Sequence, residues 1–92
     1  MDKQEEQIKK LWEWCGFKHE RPLLTLDNIF KYAVPNFYYV GLDVVYRDGI
    51  KLFLADVVWF INSEDTRKGR NINKEPEVAL LNAICEVIDV HK

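Results

Sequence analysis

The chain has 92 residues, of which 48% are hydrophobic, 13% aromatic and 30% charged, with a formal net charge of −2. That length suits one domain and not two, and the apolar content excludes a disordered chain, which needs few apolar residues and a high net charge. The near-neutral balance removes any general attraction to nucleic acid or acidic membranes, two cysteines are too few for a disulfide-framed secreted domain, and no apolar run approaches a membrane span.

The N-terminus, Met1-Asp2-Lys3-Gln4-Glu5-Glu6, is charged with no apolar stretch behind it, unlike a signal peptide. The expectation is a cytoplasmic protein with Cys15 and Cys85 reduced. Residues 2–15 read as a helix, with Asp2 and Glu5 as a capping box and Glu5–Lys9 and Glu6–Lys10 as i,i+4 pairs. Ile8, Leu11, Trp12 and Cys15 form its apolar stripe. Gly16 then suits the left-handed position after the helix, with Phe17 folding back onto Trp12. Trp14 lies off the stripe, placed to cover a loop or reach a partner.

Residues 18–25 are a polar connection. A short helix is expected over 26–33, capped by Thr25 or Asp27, with Leu26, Ile29, Phe30 and Ala33 as its apolar face. Pro35 should end it, because proline disfavours the helical region for Val34.

Residues 37–47 and 50–60 are rich in Val, Leu, Tyr, Phe and Trp and flank Asp48-Gly49, a strong hairpin signal. A two-residue turn pairs Val45 with Leu52 and Val44 with Phe53; a three-residue turn shifts one strand by one. In the first register one face carries Tyr38, Val40, Leu42, Val44 and Tyr46 with Phe53, Ala55, Val57 and Trp59. The other carries Phe37, Tyr39, Val45, Ile50, Leu52, Leu54, Val58 and Phe60, interrupted by Asp43 and Asp56. Both faces are largely apolar, which predicts cover on both, by helices or by a second copy of the chain. Gly41 within the strand suggests a bulge or a close backbone approach. Two strands alone are marginal, so a third is expected from 18–24 or 70–74, unless helix packing replaces it.

Residues 62–75 are polar and read as a mobile loop. A last helix runs over 76–90 with Pro76 at its first position. From Val78 onward its apolar arc leaves only Asn82, Glu86 and Asp89 polar, so it packs on the sheet and on a further element. The expected architecture is a single α+β domain, a small α-β-α sandwich in which the hairpin is covered by helices at 2–15, 26–33 and 76–90.

Three groups of residues could carry function. Asp43 and Asp56 are diagonal neighbours in the simplest register, a carboxylate pair able to hold a hard cation or divide acid and base roles. The plainer account is that they meet Lys or Arg or mark a gap in the cover. Arg67, Lys68, Arg70 and Lys74 form a basic cluster that could touch nucleic acid or an acidic partner, though Glu64, Asp65 and Glu75 dilute it and no aromatic interleaves. Trp14, Tyr38, Tyr39, Tyr46 and Trp59 exceed what a small core hides, and Trp14, Tyr39, Tyr46 and Trp59 are the candidates for a protein interface; the plainer role of the set is to fill sheet edges. Cys15–His19 and Cys85–His91 lack zinc spacing, and both cysteines lie on apolar stripes. No cofactor is implied.

The segments Leu11-Trp12-Glu13-Trp14-Cys15-Gly16-Phe17, Leu26 to Pro35 and Glu75 to Ile84 together resemble the small phage and prophage proteins of the "ABA sandwich" family. The resemblance covers about a third of the chain and rests on packing and capping signals. It implies an α-β-α fold and phage or prophage origin, in the host cytoplasm, without a specific activity. The expectation is a non-enzymatic accessory protein that binds a protein partner, a host-defence component among the candidates, with homodimerisation compatible. A nucleic-acid-associated protein using 67–74 is the alternative, and a metal-dependent enzyme at Asp43 and Asp56 the weaker one.

Overall fold

The computed structural model describes residues 3–90, leaving aside the side chains of 61, 62, 89 and 90. The order is α1 (Lys3–Trp14), a short helical segment beginning with α2 (Leu26–Asn28), strands β1 (Tyr39–Arg47), β2 (Ile50–Asn62) and β3 (Asp65–Asn73), and α3 (Pro76–Val90). The fold is therefore α+β, with one antiparallel sheet in the order β1-β2-β3 and helices at both ends of the chain.

The hairpin turns where its chemistry places it. Asp48 and Gly49 both have positive φ, 52° and 78°, the backbone of a two-residue type I′ turn whose twist matches the strands. Arg47 faces Ile50, and Val45–Leu52 and Val44–Phe53 follow in register. Side-chain alternation fails at one end. Phe37 ends a 3₁₀ turn over Val34–Asn36 and donates its N–H to the Val34 carbonyl (3.0 Å). It therefore lies on the helix side, stacked on Trp14 at 5.1 Å. Tyr38 instead sets its ring 5.9 Å from Phe60 on the opposite face. The two residues exchange the faces expected of them because regular pairing begins only at Tyr39.

β3 corrects the expected loop at 62–75 and supplies the third strand, over a segment that overlaps the candidate 70–74 and not 18–24. Only Ile72 is apolar in Asp65–Asn73, so the strand has no amphipathic pattern of its own. It forms because its backbone pairs with β2 from Phe53–Asn73 to Trp59–Arg67 and because α3 lies directly on it. The contact is made at Gly69, which is buried. A Cβ there would run into the Ala83 carbonyl oxygen and stand 3.1 Å from Val87 Cγ2. α3 is thus buried on almost all described sides: Leu80, Leu81, Ile84 and Val87 have no exposure, and α1 packs against it. Each such aliphatic side chain contributes roughly 1.5–3 kcal/mol by leaving water.

α1 ends as expected. Gly16 has φ 104°, Phe17 donates its N–H to the Trp12 carbonyl at 2.9 Å, and the two rings meet edge to face at 5.9 Å. The Asp2 cap lies outside the described residues. The second helix departs from expectation. Thr25 Oγ1 accepts from the Asn28 N–H at 3.2 Å, but α2 widens at once into a π turn closed by the Val34 N–H on the Ile29 carbonyl. Val34 stays helical (φ −55°, ψ −40°) despite Pro35, because the chain tightens into the 3₁₀ turn before it extends. Ile29 and Ala33 are buried, whereas Phe30 is exposed.

The buried sheet positions, Ala55, Val57 and Gly69, all lie on the α3 side. On the other face every described residue keeps solvent exposure. Helical cover, expected on both faces, is met on one. No described helix is long and apolar enough to cross a membrane.

Candidate protein-binding surface

The uncovered face is the outstanding surface of the molecule. Register places Tyr39 and Val45 of β1, Leu52, Leu54, Val58 and Phe60 of β2, and Ile72 of β3 on it together. Phe60 is 50% exposed, Tyr39 53% and Ile50, at the turn, 48%. Tyr38 joins Phe60 at one end. The Tyr39 ring lies along its own strand, so that a Cβ on Gly41 would meet the Tyr39 hydroxyl at 2.5 Å. Gly41 therefore makes room for a ring, where a bulge or a second backbone was expected.

Charged residues interrupt and rim this face. Asp43 and Asp56 do share it as diagonal neighbours, since Asp43 pairs with Leu54 and Gly41 with Asp56. They do not act as a pair, because Arg70 on the neighbouring strand donates its Nε–H to Asp56 Oδ1 at 2.6 Å. That hydrogen bond raises the already high pKa of the guanidinium. Among the described residues no group of three or more His, Cys, Asp or Glu gathers as a metal set.

Strand alternation divides the basic cluster. Lys68 and Arg70 lie on the open face, opposite Val58 and Asp56, while Arg67 lies on the α3 side opposite Trp59 and reaches Asp65 at 3.2 Å. Lys74 follows the end of the strand. The candidate aromatics divide as well. Trp14 packs edge to face on Trp59 at 5.3 Å and stacks on Phe37, on the helix side. Tyr46 is 69% exposed, at the unpaired edge of β1 on the α3 side. Only Tyr39 of the four belongs to the open face.

Cys85 is buried, and its thiol meets the Gln7 carbonyl at 3.8 Å. Burial pushes the Cys15 thiol up to about 11 from its ordinary 9, which keeps it protonated and a poor nucleophile at neutral pH. A polar groove of about 560 Å³ between α1, α3 and β3 is lined by Gln4, Gln7, Asn71 and Asn82 among others, and the Asn82 amide donates to Asn71 Oδ1 at 3.2 Å.

The open face itself was legible as an apolar set, but it was not recognised as uncovered. The available signal was helix supply. α2 is short, α1 has one stripe, and the wide apolar arc of α3 is used by the sheet on one side and α1 on the other. No helix is left for a second layer. In comparison with known proteins, the chain matches no family model, no curated protein and no solved structure.

Proposed function

We propose that this chain acts by binding a partner protein through the open face of its sheet. The observation that carries the reading is that face: an exposed, largely apolar surface, crossed at the central strand by the Asp56–Arg70 pair and edged by Asp43 and Lys68, of the kind that marks an interaction site on a small domain. Tyr39 and Phe60 are its natural anchors, since exposed aromatics carry much of the energy of such contacts. The protein is on this reading a non-enzymatic, cytoplasmic accessory protein of phage or prophage origin, and a host-defence component is the class of partner to seek first. Support for origin comes from the three segments that resemble the ABA-sandwich proteins. Support for a binding role over catalysis comes from the engagement of Asp56 by Arg70 and from the protonated state of Cys15.

The test pairs the wild type with Val58→Lys/Phe60→Asp. Both are tagged, shown to melt cooperatively, and incubated with host lysate. The reading expects a protein retained by the wild type and lost by the variant. The same proteins retained by both, or none retained by either, would refute it.

A further inference from the structure

We infer that the outer edge of β1 is a self-association surface, on which β1 of a second copy adds antiparallel to make a continuous six-stranded sheet. This goes beyond the open-face reading and does not depend on it. The inference begins with the turn. A type I′ turn closes on a hydrogen-bonded pair, Arg47–Ile50, so the odd-numbered residues of β1 bond inward to β2. Val40, Leu42, Val44 and Tyr46 then point their N–H and C=O groups outward. β1 is the end strand of the sheet, and among the described residues no hydrogen bond reaches those groups.

Edge strands normally carry protection: lysine, proline, a bulge or a covering element. β1 contains no lysine or proline, and its pairing with β2 runs from Tyr39 to Arg47 without a register break. What it carries instead is one carboxylate and one guanidinium, Asp43 and Arg47, on the same face and symmetric about Val45. Among the described residues neither has an ion-pair partner.

That spacing selects the occupant and the register. In a two-fold arrangement residue i meets j and j meets i. Centring the two copies on Val45 puts Val44 opposite Tyr46 of the second copy as an outward, hydrogen-bonded pair. It also puts Asp43 opposite Arg47, twice, in non-hydrogen-bonded pairs whose Cα atoms stand only about 4.5 Å apart. The longest overlap, centred on Asp43, would set two carboxylates against each other at that same close spacing, and like charges directly opposite are unfavourable. A strand that supplies both halves of its own charge pairing fits a second copy of this chain better than an unrelated strand.

Sedimentation equilibrium on the full chain tests this. The wild type should form a dimer in the micromolar to submillimolar range. Arg47→Asp and Asp43→Arg, each converting both contacts to like-charge pairs, should weaken it by on the order of tenfold or more. The exchange Asp43→Arg/Arg47→Asp should restore it. Phe60→Asp, on the open face, should leave the dimer unchanged. Melting curves check that each variant is folded, and either single variant suffices if the other is not. A wild type monomeric throughout, single variants that dimerise like the wild type, or a folded exchange variant that stays monomeric would each overturn the inference. So would loss of the dimer in Phe60→Asp alone, which assigns association to the open face.

Discussion

β3 presents Thr66, Lys68, Arg70 and Ile72 at its outward backbone positions, whereas β1 presents Val40, Leu42, Val44 and Tyr46. The β3 edge has lysine and arginine, a register break against β2 between Phe60 and Asn62, and α3 close overhead. Glu86 of that helix accepts the outward N–H of Arg70 at 2.9 Å. The β1 edge has no lysine, no register break from Tyr39 to Arg47 and, among the described residues, no helix group on its outward N–H groups; its one arginine, Arg47, sits at the turn. Two edges of one three-stranded sheet thus stand in opposite states, one closed by charge and a helix carboxylate, the other open and apolar. Closure at β3 needs the helix to come very near the strand, which is why a glycine sits at position 69.

The comparison can be broken most severely at that glycine. Gly69→Val should destabilise the fold by about 3 kcal/mol or more, since overpacking against helix backbone cannot be relieved by a rotamer change; urea unfolding measures it. Gly69→Ala should follow with a smaller loss, because even one methyl meets the Ala83 carbonyl. Next in size is Glu86→Ala, which removes the acceptor from the Arg70 N–H. Its expected cost is about 1.5 kcal/mol, the low end for a hydrogen bond to a charged group because the site is exposed, together with faster amide exchange at Arg70. At the other edge, Arg47→Asp should change monomer stability by less than about 0.5 kcal/mol, as exposed substitutions do, while still weakening the dimer.

A separate effect concerns Cys15, outside both edges. Its folded-state pKa of about 11 lies above the ordinary 9, so the folded chain holds the proton more tightly than the unfolded one. The resulting contribution to stability is fully present below pH 9 and is lost as pH rises toward 11. Unfolding measurements should therefore show the wild type losing stability relative to Cys15→Ala across that window. Alkylation of Cys15 by iodoacetamide should show a midpoint near 11.

Much of the closed half of the molecule was hard to see in the sequence, while the open half was easy. The hairpin is written locally: Asp48-Gly49 suits the two positive-φ positions of a two-residue turn, and that turn sets the register of 39–47 on 50–60. The end of α1 is equally local, in Gly16 and Phe17. β3 is not, because Asp-Thr-Arg-Lys-Gly-Arg-Asn-Ile-Asn carries no hydrophobic period, and its strand state comes from pairing with β2 and from the fit of α3 over Gly69. The same cause undid the basic cluster, which reads as one patch along the chain and is divided between two faces once the segment is a strand. Trp14 and Trp59, separated by 45 positions in sequence, gave no local sign that they pack on each other. Strand alternation assigned Tyr39 to its face, but its exposure follows only from the absence of a helix over that face.

The difference between the two edges is tested most directly by amide hydrogen exchange, residue by residue, at low and high protein concentration. The Arg70 N–H should be protected at every concentration, because Glu86 of the same chain holds it. The Val44 and Tyr46 N–H groups should exchange freely when dilute and become protected as concentration rises, while Leu42, beyond the overlap centred on Val45, stays fast. Protection of Val44 and Tyr46 independent of concentration, their free exchange at all concentrations, or an Arg70 N–H as fast as theirs would contradict the account.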